Sequence, residues 1–305
     1  MTDTLELFDQ PQSFPDGNAQ RRYNALVGLE QAKEIAVREA LALLAPQSVT
    51  DWSMKHHKTV LRAAELLADR TPLLVFAGDV GTGKTALTET FGDDVARRAG
   101  IDVLLFPLSL SARGTGAVGE MTKLLGAAFA YVNDQIPAVQ NGRSRLAGIL
   151  LIDEADALAQ SRELGQMHHE DRAGVNALIR GIDGLAGARR PVLTVMCTNR
   201  VGAIDPAVQR RAAAVVQFSR PNDAQRLTVL SDAFGDLGLT TSQLKELVQL
   251  TGPRDGCEYG YTYSDLTTRL IPGAVLASFP DAPLTFATIR DMAASEPTAP
   301  FHGTR

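Results

Sequence analysis

The chain has 305 residues, of which 45% are apolar and 21% are charged, as expected of a globular protein with about two domains. Its 30 basic and 35 acidic residues argue against a large nucleic-acid-binding surface, which would carry a basic stripe. Cys197 and Cys257 lack metal-site spacing and favour a reduced protein. No apolar run approaches about 18 residues. We therefore expect a cytoplasmic protein with no membrane segment, and the charge balance disfavours a nucleic-acid partner without excluding a local binding site.

The first part of the chain leads into a buried strand. Residues 1–22 contain several turn-forming residues and little apolar periodicity, so we predict a flexible N-terminal arm. Helical spacing of apolar residues begins near residue 25, and a second helix is predicted at about residues 51–69. The unbroken apolar run at residues 73–77 is typical of a strand buried on both faces of a parallel sheet.

The stretch after this strand fits G-x-x-x-x-G-K-[ST], the pattern of a loop that holds nucleotide phosphates. It consists of Gly78, Asp79, Val80, Gly81, Thr82, Gly83, Lys84 and Thr85. Leu87, Phe91 and Val95 follow at helical spacing, so this phosphate loop lies between a strand and a helix N-terminus, where anions bind. Lys84 would reach the β- and γ-phosphates, and the Thr85 hydroxyl would be a ligand of Mg²⁺.

The remaining pattern predicts a parallel sheet followed by a helical segment. Four further apolar runs, at residues 103–108, 147–152, 192–196 and 213–218, alternate with helical patterns, which indicates an α/β sheet of five strands. The apolar residues after residue 220 recur at helical spacing, and residues 262–265 fit a capping box. We predict an α/β domain over residues 23–220, a small all-helical domain over residues 221–297 and a tail over residues 298–305.

Polar residues follow two of the predicted strands. Asp153 can hold Mg²⁺ through water, and Glu154 can orient the water that attacks the γ-phosphate, although an acidic helix cap is the alternative. In open α/β sheets, ligands bind beyond the carboxyl ends of the strands. Asn199, just after the fourth strand, can therefore contact the attacking water and the γ-phosphate, or it simply opens a turn.

Two arginines precede the fifth predicted strand. Arg210 and Arg211 are either a solvated surface pair or arginine fingers donated to the γ-phosphate of a neighbouring subunit. Such a finger neutralises charge in the transition state and changes turnover by roughly 10³–10⁵.

In this order, the phosphate loop, the Asp-Glu strand end, the asparagine, the paired arginines and the helical segment resemble an AAA+ ATPase module. The resemblance covers about residues 25–297 and implies a ring, usually a hexamer, that uses ATP and Mg²⁺ at sites shared between neighbours. Val27 and Gly28 resemble the segment that contacts adenine in this family. Residues 260–266 resemble the start of its sensor-2 motif, with Ser264 at the usual arginine position and Arg269 one helical turn later.

Within AAA+, residues 175–183, 198–211 and 270–276 resemble the pachytene-checkpoint-type ATPases, which remodel HORMA-domain proteins. Short bacterial forms of these enzymes are encoded with HORMA proteins and a nucleotide cyclase in antiphage defence. The resemblance implies ATP-driven remodelling of a partner protein of the HORMA-domain class. The chain departs from the group at its first pore loop, where Ala117 replaces an aromatic residue before Val118 and Gly119.

Two other functions compete with this interpretation. A DNA-acting AAA+ protein, such as a loader, is disfavoured by the acidic balance. A nucleotide-gated scaffold without turnover is disfavoured by the intact set Lys84, Asp153, Glu154 and Asn199.

Overall fold

The computed structural model describes residues 7–108, 120–139, 143–155, 169–188, 190–200 and 204–300. The chain forms two compact units, each assembled from separate stretches of sequence. The first contains Met1–Ala25, Gln31–Ala77 and Thr85–Gln217, and the second contains Leu26–Glu30, Gly78–Lys84 and Phe218–Arg305. Sequence patterns did not predict that two short early segments join the second unit. No helix within the described ranges is long and apolar enough to cross a membrane.

A six-stranded sheet forms the centre of the first unit. Its strands are β1 (Gln12–Phe14), β2 (Leu73–Gly78), β3 (Asp102–Pro107), β4 (Leu146–Ile152), β5 (Val192–Thr198) and β6 (Ala214–Phe218). They lie in the order β1-β3-β4-β5-β2-β6. Strands β3, β4, β5 and β2 are parallel neighbours, whereas β1 runs antiparallel to β3. The α/β class is confirmed, but the predicted number of five strands is wrong by one.

The central strands are buried along almost their whole length. All residues of β5 are buried, as are residues 73–77 of β2. Parallel strands that are covered on both faces need apolar side chains at successive positions, because neither face meets water. This requirement explains why the strands of the sheet interior are recognisable as unbroken apolar runs.

Helices connect and cover the strands. Along the chain up to β6 they are α1 (Gly17–Asn24), α2 (Glu30–Leu44), α3 (Pro46–His57), α4 (Arg62–Ala68), α5 (Lys84–Thr88), α6 (Phe91–Ala99), α7 (Glu120–Gln135), α8 (His169–Gly187) and α9 (Pro206–Gln209). Helices α7 and α8 bury Leu125 and Leu178 against the core that contains Leu150 of β4. The single helix predicted at residues 51–69 is divided into α3 and α4, because Lys58 ends α3 in the left-handed conformation.

The stretch predicted as a flexible arm is partly built into the sheet. Strand β1 pairs with β3, and Phe14 at its end is 1% exposed. Asp16 then caps α1, since its side chain accepts a hydrogen bond from the backbone of Ala19 at 2.7 Å. The backbone N–H of Asp16 donates to the buried carboxylate of Asp93 in α6, also at 2.7 Å. The prediction of a flexible arm is therefore wrong for residues 12–22.

The second unit contains the C-terminal helices. They are α10 (Asp223–Phe234), a 3₁₀ turn (Gly235–Leu237), α11 (Thr241–Leu250), a π-helical segment (Asp265–Leu270), α12 (Ile271–Leu276) and α13 (Phe286–Ala293). Their common core includes Leu230, Leu247 and Ile289, all fully buried. Asn222 and Thr240 begin α10 and α11 with capping boxes, so local sequence defines where these helices start.

Asp265 anchors the chain after α13 to the second unit. Its Oδ2 accepts from the backbone N–H of Thr262 at 2.9 Å, and the Asp265 N–H donates to the Thr262 hydroxyl at 3.0 Å, which confirms the predicted capping box. Its Oδ1 accepts from the Thr298 hydroxyl at 2.6 Å and from Arg269 at 2.8 Å. Burial alone would raise the pKa of Asp265, but the hydrogen bonds from Thr298 and Thr262 outweigh it and lower the pKa.

Phe14→Ala should destabilise the first unit by about 3–5 kcal/mol, because it removes a fully buried ring and leaves a cavity. The measurement is the free energy of unfolding in urea, followed by the fluorescence of Trp52. Phe279→Ala is the matched control, since Phe279 is 70% exposed. Equal losses in the two variants would contradict the integration of β1 into the core.

Asp265→Asn should lower the midpoint of thermal unfolding at pH 7, with a loss of about 1–3 kcal/mol, because the amide cannot accept every bond that the carboxylate accepts. Since the folded-state pKa is lowered, the contribution of Asp265 is complete above its ordinary value of 3.8 and disappears as the pH falls through the folded-state value. The difference from wild type should therefore shrink in acid. Asp291→Asn, at an exposed position, is the control, and a pH-independent difference would argue against this role.

Candidate active site

The carboxyl ends of β4 and β5 bring candidate catalytic residues to one edge of the sheet. In the parallel register, Ile152 of β4 lies opposite Met196 of β5, and Ala77 of β2 lies opposite Thr198. Asp153 follows β4 directly, and Asn199 follows β5. Their placement follows from strand pairing, since parallel strands point their ends in the same direction.

Thr85 and Asp153 are in direct contact. The Thr85 hydroxyl donates to Oδ2 of Asp153 at 2.7 Å, across 68 positions of sequence. A hydroxyl and a carboxylate are hard oxygen ligands of the kind that Mg²⁺ takes. Because the two oxygens lie side by side, the residues fit the magnesium role that sequence patterns predicted for them.

Glu154 has an unusual backbone conformation. Its φ is +49°, in the left-handed region that residues other than glycine seldom adopt. Its N–H donates to Oδ1 of Asp153 at 2.8 Å, so this carboxylate contacts Thr85 with one oxygen and Glu154 with the other. Such strain is concentrated at functional sites. The Glu154 side chain is exposed to solvent, where it can meet a water molecule.

Thr198 shapes the turn that contains Asn199. The buried Thr198 hydroxyl accepts from the backbone N–H of Arg200 at 3.0 Å, which closes a short turn with Asn199 in the middle. Asn199 is half-buried at this edge. The alternative that Asn199 opens a turn is therefore correct locally, and it is compatible with a role in contacting phosphate.

The phosphate loop belongs to the second unit from Gly78 to Lys84. The ammonium of Lys84 donates to the carbonyls of Gly78 and Asp79, each at 2.8 Å, and the side chain is buried. The Thr82 hydroxyl donates to the same Asp79 carbonyl at 2.7 Å. These bonds hold the end of the loop against the carbonyls of its first two residues. Val80 is exposed, and its N–H donates to Oδ1 of Asp79 at 2.8 Å.

Gly81 of the loop packs closely against the start of the sensor-2-like motif. Its carbonyl accepts from the N–H of Ser264 at 3.1 Å. A Cβ at this position would lie 2.7 Å from Oγ1 of Thr262, and φ is +72°, so a larger residue would clash and be strained. Ser264 is thus beside the phosphate loop. Arg269 instead bonds Asp265 and Thr298, which places it at the C-terminal segment of the unit.

Val27 and Gly28 also pack within the second unit. Val27 joins the edge of its hydrophobic core, and the Gly28 carbonyl accepts from the Gln225 side chain at 2.9 Å. A Cβ on Gly28 would lie 2.1 Å from the Tyr263 hydroxyl. Burial, with a smaller contribution from Glu30, raises the pKa of Tyr263 to about 12. The segment with the predicted adenine contacts therefore belongs to the same unit as the loop with the predicted phosphate contacts.

Arg220 contacts the phosphate loop, and the sequence patterns did not predict this contact. Its Nε donates to Oδ2 of Asp79 at 2.8 Å, and its Nη1 donates to the carbonyl of Gly260 at 2.6 Å. The guanidinium also lies 4.9 Å from the centre of the Tyr259 ring. The acidic Asp79 inside a loop expected to bind phosphate indicates that a basic residue compensates its charge. Local sequence cannot show which basic residue does so.

The paired arginines have different surroundings. Arg211 makes two hydrogen bonds to Asp183 of α8, at 2.9 and 3.1 Å, and this bonding raises the pKa of Arg211. Arg210 is exposed at the end of α9, where its Nε donates to the carbonyl of Pro206 at 3.2 Å. The structure therefore separates one internally bonded arginine from one directed to the surface. The predicted pore-loop residues Ala117, Val118 and Gly119 lie outside the described residues.

Known proteins resemble this chain over most of its length. The profile of the "ATPase family associated with various cellular activities (AAA)" matches residues 74–220. CD-NTase-associated protein 6 of Escherichia coli (strain MS 115-1) is 52% identical over 277 residues, which cover 90% of this chain and 89% of that protein.

Two solved structures are similar over nearly the whole chain. One is a chain of the E. coli MS115-1 HORMA:CdnC:Trip13 complex, with a TM-score of 0.89, 48% identity and coverage of 98% of this chain and 99% of that one. The other is Rhizobiales Trip13, with a TM-score of 0.75, 42% identity and coverage of 96% and 100%. The chain therefore belongs to the AAA family of ATPases, in the group of Trip13-like CD-NTase-associated proteins. The resemblance to pachytene-checkpoint-type ATPases is confirmed.

Proposed function

We propose that this chain is a ring-forming ATPase that couples Mg-ATP hydrolysis to remodelling of a HORMA-domain protein in a bacterial antiphage signalling system. The observation that carries the hydrolytic part is the 2.7 Å contact between Thr85 and Asp153, with Glu154 directly after it. Similarity over nearly the full length to the chain solved with HORMA and CdnC proteins supports the partner class. A ring of six copies is the assembly implied by the AAA+ resemblance.

Each residue has a role that its surroundings allow. Lys84, held along the loop by two carbonyls, provides positive charge for the β- and γ-phosphates. Thr85 would hold Mg²⁺ directly and Asp153 would hold it through water, and the ion would neutralise charge that develops on the phosphates. Glu154 orients a water molecule and accepts its proton, so that the water oxygen bonds to the γ-phosphorus while the bond to the β–γ bridging oxygen breaks and ADP leaves with that electron pair. Asn199, at the end of β5, contacts that water and the γ-phosphate.

Glu154→Gln should keep ATP binding but reduce steady-state hydrolysis by roughly 10²–10⁴, because the amide cannot polarise the water as a carboxylate does. The ATP-loaded variant should also retain a HORMA-domain protein in a pull-down read by mass spectrometry. Glu246→Gln, an exposed change of the same kind on α11, is the control and should behave as wild type.

Unchanged turnover in Glu154→Gln would contradict the hydrolytic assignment. A wild-type chain that binds ATP without turnover would favour the nucleotide-gated scaffold, and hydrolysis stimulated by DNA would favour the DNA-acting alternative.

For the trans-acting arginine we propose Arg210, since it is exposed while Arg211 is held by Asp183. Arg210→Ala should bind ATP normally and lose hydrolysis by roughly 10³ or more. Arg211→Ala should lose less turnover and more stability. Mixing Arg210→Ala with Lys84→Ala subunits should restore some hydrolysis, because some interfaces then combine an intact loop with an intact finger. No recovery at any mixing ratio would contradict a shared site.

A further inference from the structure

Asp79 is an acidic residue in a loop whose expected ligand is a polyanion. Its carbonyl accepts hydrogen bonds from Thr82 and Lys84, and its carboxylate accepts from the N–H of Val80. The residue therefore organises the loop through both its backbone and its side chain. A carboxylate at this position also repels phosphate unless a cation compensates its charge.

Arg220 supplies that cation. Its Nε and Nη2 both donate to Oδ2 of Asp79, at 2.8 and 2.5 Å. The side chains of Arg220 and Asp79 are only 14% and 15% exposed, so water and salt screen their interaction much less than that of a surface pair. Loss of the arginine would remove this ion pair from a largely buried carboxylate.

Arg220 is itself fixed by further contacts in the second unit. Its Nη1 donates to the carbonyl of Gly260, and its guanidinium packs over the ring of Tyr259. These contacts use the planar, forked geometry of arginine, which a lysine ammonium cannot reproduce. The position of Asp79, and with it the first turn of the phosphate loop, is therefore tied to residues 259–260.

We propose that Arg220 is a positioning residue for nucleotide binding, which holds Asp79 in the loop and cancels its charge so that the loop accepts a polyphosphate. This inference rests on the proposed function, because it assumes ATP as the ligand. Its consequence is a dependence on ligand charge. Without Arg220, ATP should lose more affinity than ADP, since ATP carries more negative charge against the uncompensated carboxylate of Asp79.

The test is fluorescence titration with the N-methylanthraniloyl derivatives of ATP and ADP, with Mg²⁺ and without a partner protein. Arg220→Gln should raise the Kd for the ATP derivative about tenfold, the order expected for one uncompensated charge a few ångströms from the ligand, and the Kd for the ADP derivative by less. Arg290→Gln is the charge-matched control, at an exposed position of the same unit, and should bind as wild type.

Removal of the carboxylate charge should reverse the effect. Asp79→Asn alone should bind the ATP derivative at least as tightly as wild type, because it removes the negative charge beside the phosphates while its single amide oxygen still accepts from either Val80 or Arg220. The double variant Asp79→Asn with Arg220→Gln should recover most of the affinity lost in Arg220→Gln. Arg220→Lys should fall between wild type and Arg220→Gln, since it keeps the charge and loses the fork.

Equal Kd values for Arg220→Gln and Arg290→Gln would overturn the inference. The inference would also be overturned if Arg220→Gln raised the Kd equally for the two derivatives, or if the double variant bound the ATP derivative as weakly as Arg220→Gln does. Either result indicates that the arginine has only a structural role. If Arg220→Gln fails to fold, the Kd values of Asp79→Asn and Arg220→Lys test the inference. A Kd of Asp79→Asn for the ATP derivative above that of wild type would then contradict charge compensation. A wild-type chain that binds neither derivative would instead overturn the proposed function, and this inference with it.

Discussion

Burial of the central parallel strands on both faces is the constraint on which the first unit depends. Helices cover both sides, so β2, β4 and β5 carry apolar residues at successive positions. Parallel pairing then makes the strands end at the same edge of the sheet, so the polar residues that follow them lie at that edge. The contact between Thr85 and Asp153 is a direct result, because Thr85 ends the phosphate loop that follows β2, and Asp153 follows β4.

Polar residues at this edge are held by one another. The two oxygens of Asp153 contact Thr85 and the backbone of Glu154, and the latter bond supports a left-handed conformation that Glu154 would avoid in isolation. Local strain is tolerated because the surrounding sheet is rigid and densely packed. Stability supplied by the core therefore keeps Glu154 in an otherwise unfavourable backbone conformation.

In the second unit, charged and capping side chains hold distant segments together, whereas in the first unit the buried sheet does so. Arg220 and Asp265 each connect segments distant in sequence, through contacts with Asp79 and Thr298 respectively. In both cases a largely buried carboxylate is satisfied by several donors, as burial of a charge requires. The phosphate loop and the C-terminal segment are thus held by polar contacts that form only when the distant segments of the second unit fold together.

The sequence by itself determined the family, the α/β class and the position of the phosphate-loop motif, because each is recognised from short motifs whose own residues are close together in the chain. Apolar runs define buried strands, and the capping box at Thr262 and Asp265 could be recognised from two positions three residues apart. Only the tertiary structure decided the place of β1, since a strand of three residues has too little pattern and takes its partner from β3. It also decided which cation meets Asp79, since Arg220 is 141 positions away. Pairing of charges over such distances depends on how the elements pack, and no local pattern of residues encodes it.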